Sequence, residues 1–139
     1  RTPANAMDVG DPSNFARILD LYGKNGNPHA EICQLISGYR FTDEEIGTTM
    51  KQVYDETGYI LDPHGACGYQ ALIESGLSPN ETGLFLETAH PAKFKGTVDK
   101  ILEADIEIPA KLKAFMQGEK QSVGMDKDFE SFKSYLLKQ

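Results

Sequence analysis

GLFLET, residues 83–88, is the stretch on which the reading of this chain turns. Leu84, Phe85 and Leu86 are consecutive apolar residues, and Ala89-His90-Pro91 breaks the pattern after Thr88. Side chains alternate across a strand, so an unbroken apolar run predicts a central parallel strand covered by helices on both faces. Such a strand cannot stand alone. Its N–H and C=O groups need partners, and a stable sheet needs about three strands or more. The rest of the sequence offers only Tyr59-Ile60-Leu61, which reads as a second short strand or as an extended entry to Asp62. The missing strands are expected either in another chain or, as the favoured reading, in a larger α/β protein of which residues 1–139 are a single incomplete unit. The opening Arg1, where a natural chain starts with Met, adds to that expectation.

Around this strand the pattern is helical, with about seven helices expected. Asp11-Pro12-Ser13-Asn14 is a helix-start signal, and Phe15, Ile18, Leu19 and Tyr22 follow at helical spacing. Asn27-Pro28 opens a second helix with Ile32, Leu35 and Ile36 turned inward. Thr42-Asp43-Glu44-Glu45 is a capping box before Ile46, Met50, Val53 and Tyr54, and Gly58 ends that helix. Further helices are expected from about Gly65 to Ser75, and after Pro91 with Phe94, Val98 and Ile101. Pro109 opens a short helix burying Leu112, Phe115 and Met116. Asp126 caps a last one carrying Phe129, Phe132 and Leu136.

Composition excludes several functions. Hydrophobic residues make up 40% and charged ones 25%, enough apolar material to bury a core. A net charge of −7 with no basic cluster argues against nucleic acid as partner. No apolar run approaches the roughly 18 residues of a membrane span. Cys33 and Cys67 lie in no C-x-x-C pair and read as free thiols of a cytoplasmic protein. His29, His64 and His90 have none of the short spacings of a metal site. Serine-hydrolase and Walker motifs do not occur.

Chemistry has two candidate locations. In open α/β sheets, ligands bind beyond the carboxyl ends of strands, where Thr88 and His90 fall. A threonine hydroxyl can donate to a heteroatom without imposing a charge; equally, Thr88 can satisfy a backbone group while His90 caps the next helix. At Asp62-Pro63-His64-Gly65, Asp62 can act in acid/base chemistry or orient a ring, and His64 can exchange protons near neutral pH. A turn at Pro63 with His64 as a helix cap explains that stretch as well.

Three motifs, NAMDVGDPSNFARIL (5–19), GYILDPHGACGYQAL (58–72) and GLFLETAHPAKF (83–94), occur together and in order. Together they closely resemble threonine synthase, a pyridoxal-phosphate family of fold type II. The resemblance is looser beyond about residue 103, and Cys67 stands where a small aliphatic residue is more usual. It implies the C-terminal part of an enzyme that converts O-phospho-L-homoserine and water to L-threonine and phosphate, with pyridoxal 5'-phosphate as electron sink. It also implies that Thr88 meets the cofactor's pyridine nitrogen, with Asp62 and His64 as near neighbours. Ser13, Asn14 and Arg17 fall within the first motif but receive no assigned contact. The family's Schiff-base lysine and phosphate cup have no counterpart here, and Lys93 lies in the helix after the strand. On this reading the chain supplies no catalytic residue and is inactive alone, its partner being the rest of the enzyme. The rival reading is a non-catalytic helical interaction module that binds through the strand's open edge.

Overall fold

The computed structural model describes residues 2–5, 12–23 and 28–138, among which seven α-helices and no paired strand are formed. They are α1 (Phe15–Tyr22), α2 (Pro28–Leu35), α3 (Asp43–Thr57), α4 (Pro63–Glu74), α5 (Lys95–Leu102), α6 (Ala110–Met116) and α7 (Phe129–Leu137). A 3-10 turn, Pro91–Phe94, leads into α5. The chain divides into two units, residues 1–107 and 108–139.

The first unit is built around α3. Thr42 caps it reciprocally: Thr42 Oγ1 accepts from the Glu45 N–H at 3.3 Å, and Glu45 Oε2 accepts from the Thr42 N–H at 2.7 Å. Gly58 closes it at φ 73°, a left-handed position that costs a glycine little. Ile46, Met50 and Val53 recur every three or four residues, so α3 turns one apolar stripe inward. That stripe meets Leu61 and Ala66 at the start of α4, Val98 and Leu102 of α5, and Ile106. Thr42→Ala removes the Oγ1 half of this box, the backbone N–H keeping its bond to Glu45, and is expected to lower stability by about 1 kcal/mol in a urea titration.

After α5 the chain turns at Glu103, a non-glycine residue at φ 53°. Lys95 holds this turn, its Nζ pairing with Asp99 Oδ2 at 2.7 Å, with Asp105, and with the Ile106 carbonyl at 2.8 Å. Asp99 Oδ1 in turn accepts from the Ile106 N–H at 2.9 Å. The polar clamp thereby fixes Ile106 in the core.

Residues 83–90 are the decisive segment. They have no ladder partner, yet burial alternates with a period of two. Gly83, Phe85, Glu87 and Ala89 are half-buried, whereas Leu84, Leu86, Thr88 and His90 are exposed. The inner row lies on α4, with the Phe85 ring edge-on to Tyr69 at 5.5 Å between centroids. The outer row is bare: Leu84 is 87% and Leu86 77% exposed. Thus the expected strand keeps a strand's two-faced pattern but is not part of a sheet, because no neighbouring strand among the described residues supplies its hydrogen bonds. Tyr59–Leu61 is likewise an irregular entry to α4.

Several expected apolar faces are uncovered. α1 and α2 pack on each other but contain no buried residue; Phe15 is 50% and Leu35 73% exposed. In the second unit Phe115 is 82% and Phe129 68% exposed, contrary to the burial expected for α6 and α7. The helical periodicity is correct; what is lacking is a surface to receive it, since an amphipathic stripe is buried only by a second element. Caps also differ from expectation. Asn14 makes no side-chain cap bond, and α7 is capped by Asp128, whose Oδ2 accepts from the Ser131 N–H at 3.0 Å, in place of Asp126. Asp11 and Asn27 lie outside the described residues.

Candidate functional site

The start of α4 is set two residues before the expected one. Asp62 has extended backbone and caps the helix, its Oδ1 accepting from the His64 N–H at 2.8 Å. Pro63, with its fixed φ and missing N–H, is the first helical residue. The cap is therefore Asp62, not His64. The same Oδ1 lies 3.0 Å from His64 Nδ1, which orients the imidazole, and the ring's face is tilted against Phe94 at 5.3 Å.

Asp62 is completely buried. Twenty-five residues later, Glu87 comes down from the inner row of residues 83–90 onto the same point, and its Oε2 accepts from the Asp62 N–H at 3.3 Å. The two carboxyl groups meet there, above Gly65. A Cβ at position 65 would overlap the Glu87 carboxyl, so glycine leaves the room this side chain occupies. Asp62 Oδ2 and Glu87 Oε1 are both buried with no hydrogen-bond partner. Two carboxylates cannot share such a place, whereas a carboxylic acid and a carboxylate can.

Of the two, Glu87 is the more readily protonated. Burial, then the adjacent Asp62 carboxyl, pushes its pKa up from 4.5 to about 7. Burial also works to raise Asp62, but bonds from Glu87, from the His64 backbone and ring, and from the Gly65 backbone outweigh it and hold Asp62 below its ordinary value. The signs give a stability window. Glu87, raised, contributes stability that is complete below its unfolded value and is lost as pH rises through about 7. Asp62, lowered, contributes stability that is lost as pH falls through the acid range. Denaturation midpoints should therefore fall between about pH 5 and pH 8, and Glu87→Gln should flatten that slope while leaving the acid limb.

Cys67, one turn along α4, donates its thiol to the Pro63 carbonyl at 3.4 Å. Burial, then the Asp62 charge, raises its pKa and keeps it in the unreactive thiol form. Cys33, the other free cysteine, is exposed.

Thr88 does not join this cluster. It belongs to the exposed row with Leu84 and Leu86, on the face opposite Glu87. His90 is a cap, its Nδ1 accepting from the Ala92 N–H at 3.1 Å at the start of the 3-10 turn. Lys93 sits in that turn, exposed, with Nζ 5.6 Å from the centre of the Phe94 ring. Sequence reasoning brought forward Asp62, His64 and Thr88 but missed Glu87. The available signal was an acidic residue on the inner row of an otherwise apolar segment, a position a carboxyl occupies only with a partner.

Helices laid on one face of an unpartnered strand-like segment are what part of an open α/β protein would present. Residues 65–136 match the family described as "Threonine synthase, C-terminal". The chain is 42% identical, over 99% of its length, to threonine synthase of Haemophilus influenzae, and 41% identical over 80% to that of Escherichia coli. It superimposes on the crystal structure of the Escherichia coli enzyme with a TM-score of 0.72 and 34% identity over 99% of the chain. For PLP-bound threonine synthase of Brucella melitensis the TM-score is 0.75, at 26% identity over 98%. The chain belongs to the threonine synthase family. It spans 31% of the Haemophilus protein and 24% of the Escherichia coli one, so it corresponds to a C-terminal third or less of these relatives. The family match also runs through the tail beyond residue 103, where the motifs had thinned.

Proposed function

We propose that this chain is the C-terminal part of a cytoplasmic fold-type-II enzyme that makes L-threonine and phosphate from O-phospho-L-homoserine and water. The observation that carries the proposal is a neutral hydroxyl, Thr88, exposed at the end of residues 83–88 in a chain related along its whole length to threonine synthases. Pyridoxal phosphate, when bound, supplies an electron sink for proton removal from the substrate and loss of its phosphate. The residues present fit one side of that cofactor. Thr88 Oγ1 can donate to an unprotonated ring nitrogen, and the outer row of residues 83–90 carries no carboxylate that would favour a pyridinium. Asp62 supports the segment from its covered side through Glu87, with His64 held behind it by the Asp62 carboxylate that caps α4.

The rest of the polypeptide provides the covalent lysine, the phosphate cup and the strands that flank residues 83–88. The bare Leu84 and Leu86 side chains support this reading, since an apolar row of that kind calls for a covering layer. Lys93, placed in the 3-10 turn against Phe94, is not the reactive amine. Residues 1–139 alone are inactive.

The test uses the full-length polypeptide with O-phosphohomoserine, following phosphate and threonine together. Equal release of both is expected. Phosphate without threonine, or no threonine above the control, would overturn the assignment.

A further inference from the structure

We infer that Glu87 is a positioning residue for Thr88, acting through a proton shared with Asp62 that ties the end of residues 83–88 to the first turn of α4. The inference rests on the cofactor role proposed for Thr88 and adds to it a device that holds the hydroxyl in place.

Three observations carry it. Glu87 is joined to the fully buried helix cap by the Asp62 N–H at 3.3 Å. Asp62 Oδ2 and Glu87 Oε1 are both buried without a hydrogen-bond partner, and the two carboxyl groups lie against each other, where a shared proton would satisfy them. Gly65 has no Cβ, which leaves the room the Glu87 carboxyl occupies. Thr88 is the next residue and points to the other face, so its position follows that of the Glu87 backbone. Nothing else among the described residues pins this stretch from the outer side, where Leu84 and Leu86 are bare. The groups facing the pair from α4 are Asp62, the His64 ring behind it, and the Cys67 thiol one turn on. With the proton in place the segment is latched; without it, two adjacent carboxylates repel and the latch opens.

A double-mutant cycle on the full-length, cofactor-loaded polypeptide tests this. Glu87→Ala is expected to lower kcat about 10-fold with KM within about twofold, and to alter the absorbance spectrum of the bound cofactor. Glu87→Gln, whose amide both donates and accepts, should recover most of the lost kcat and remove the decline of kcat above about pH 7. Combined with Thr88→Val, Glu87→Ala should cost little beyond Thr88→Val alone, because the latch acts through that hydroxyl. Additive losses, or a Glu87→Ala protein with unchanged kcat and spectrum, would overturn the inference while leaving the Thr88 role standing. An inert Thr88→Val would sink both.

Discussion

Thr88→Val in the full-length polypeptide, loaded with pyridoxal phosphate, should lower kcat about 10–100-fold with little change in stability. Valine keeps the size and branching of threonine but removes its hydroxyl, so under the proposed cofactor role the ring nitrogen would lose its donor. A buried acceptor left unpaired costs about 1–3 kcal/mol, which as a barrier corresponds to roughly 5–150-fold in rate. Stability should stay within about 0.5 kcal/mol, because the substitution keeps the side chain's size and Thr88 takes no part in the hydrophobic core of this unit. Steady-state rates and a urea titration on the same preparation separate the two effects. Wild-type turnover would remove Thr88 from the cofactor site.

Asp62→Ala should do the opposite, destabilising the protein by about 2–4 kcal/mol. The substitution removes a helix cap from the His64 N–H, and the ring partner of His64 Nδ1. It also removes the acceptor facing the Glu87 carboxyl, all at a residue with no solvent exposure to compensate. Asp62→Asn is the informative control. Its carbonyl can still cap α4 and its amide can donate to Glu87, so it should cost about 1 kcal/mol and relieve Glu87 of its proton. The fall in stability between about pH 5 and pH 8 should then shrink. If Asp62→Ala unfolds at the wild-type urea concentration, the carboxyl pair is not what joins α4 to residues 83–88.

The interactions legible in the sequence were local ones. The α3 capping box spans three residues, Gly58 closes the same helix, and His90 bonds two residues ahead; each is written in adjacent letters. Asp62 and His64 were legible as a chemically loaded pair, but their division of labour was not. Either residue can precede a helix, and only the backbone of Asp62, extended ahead of Pro63, decides which one is the cap. The apolar faces of α1, α6 and α7 show a different limit. Periodicity reports which side of a helix seeks cover, and is silent on whether a covering element lies in the same unit.

Sequence alone determined that residues 83–88 form an extended apolar run, and that the chain carries the motifs of one enzyme family. An apolar run and motif order are properties of neighbouring residues and need no third dimension. Only the tertiary structure decided that this run has one covered and one bare face, with Thr88 on the bare side. It alone brought Glu87 onto Asp62 across twenty-five positions, and made Gly65 the gap that admits it. A shared proton between two buried carboxyls depends on distance and desolvation, and both come from packing α4 against the segment.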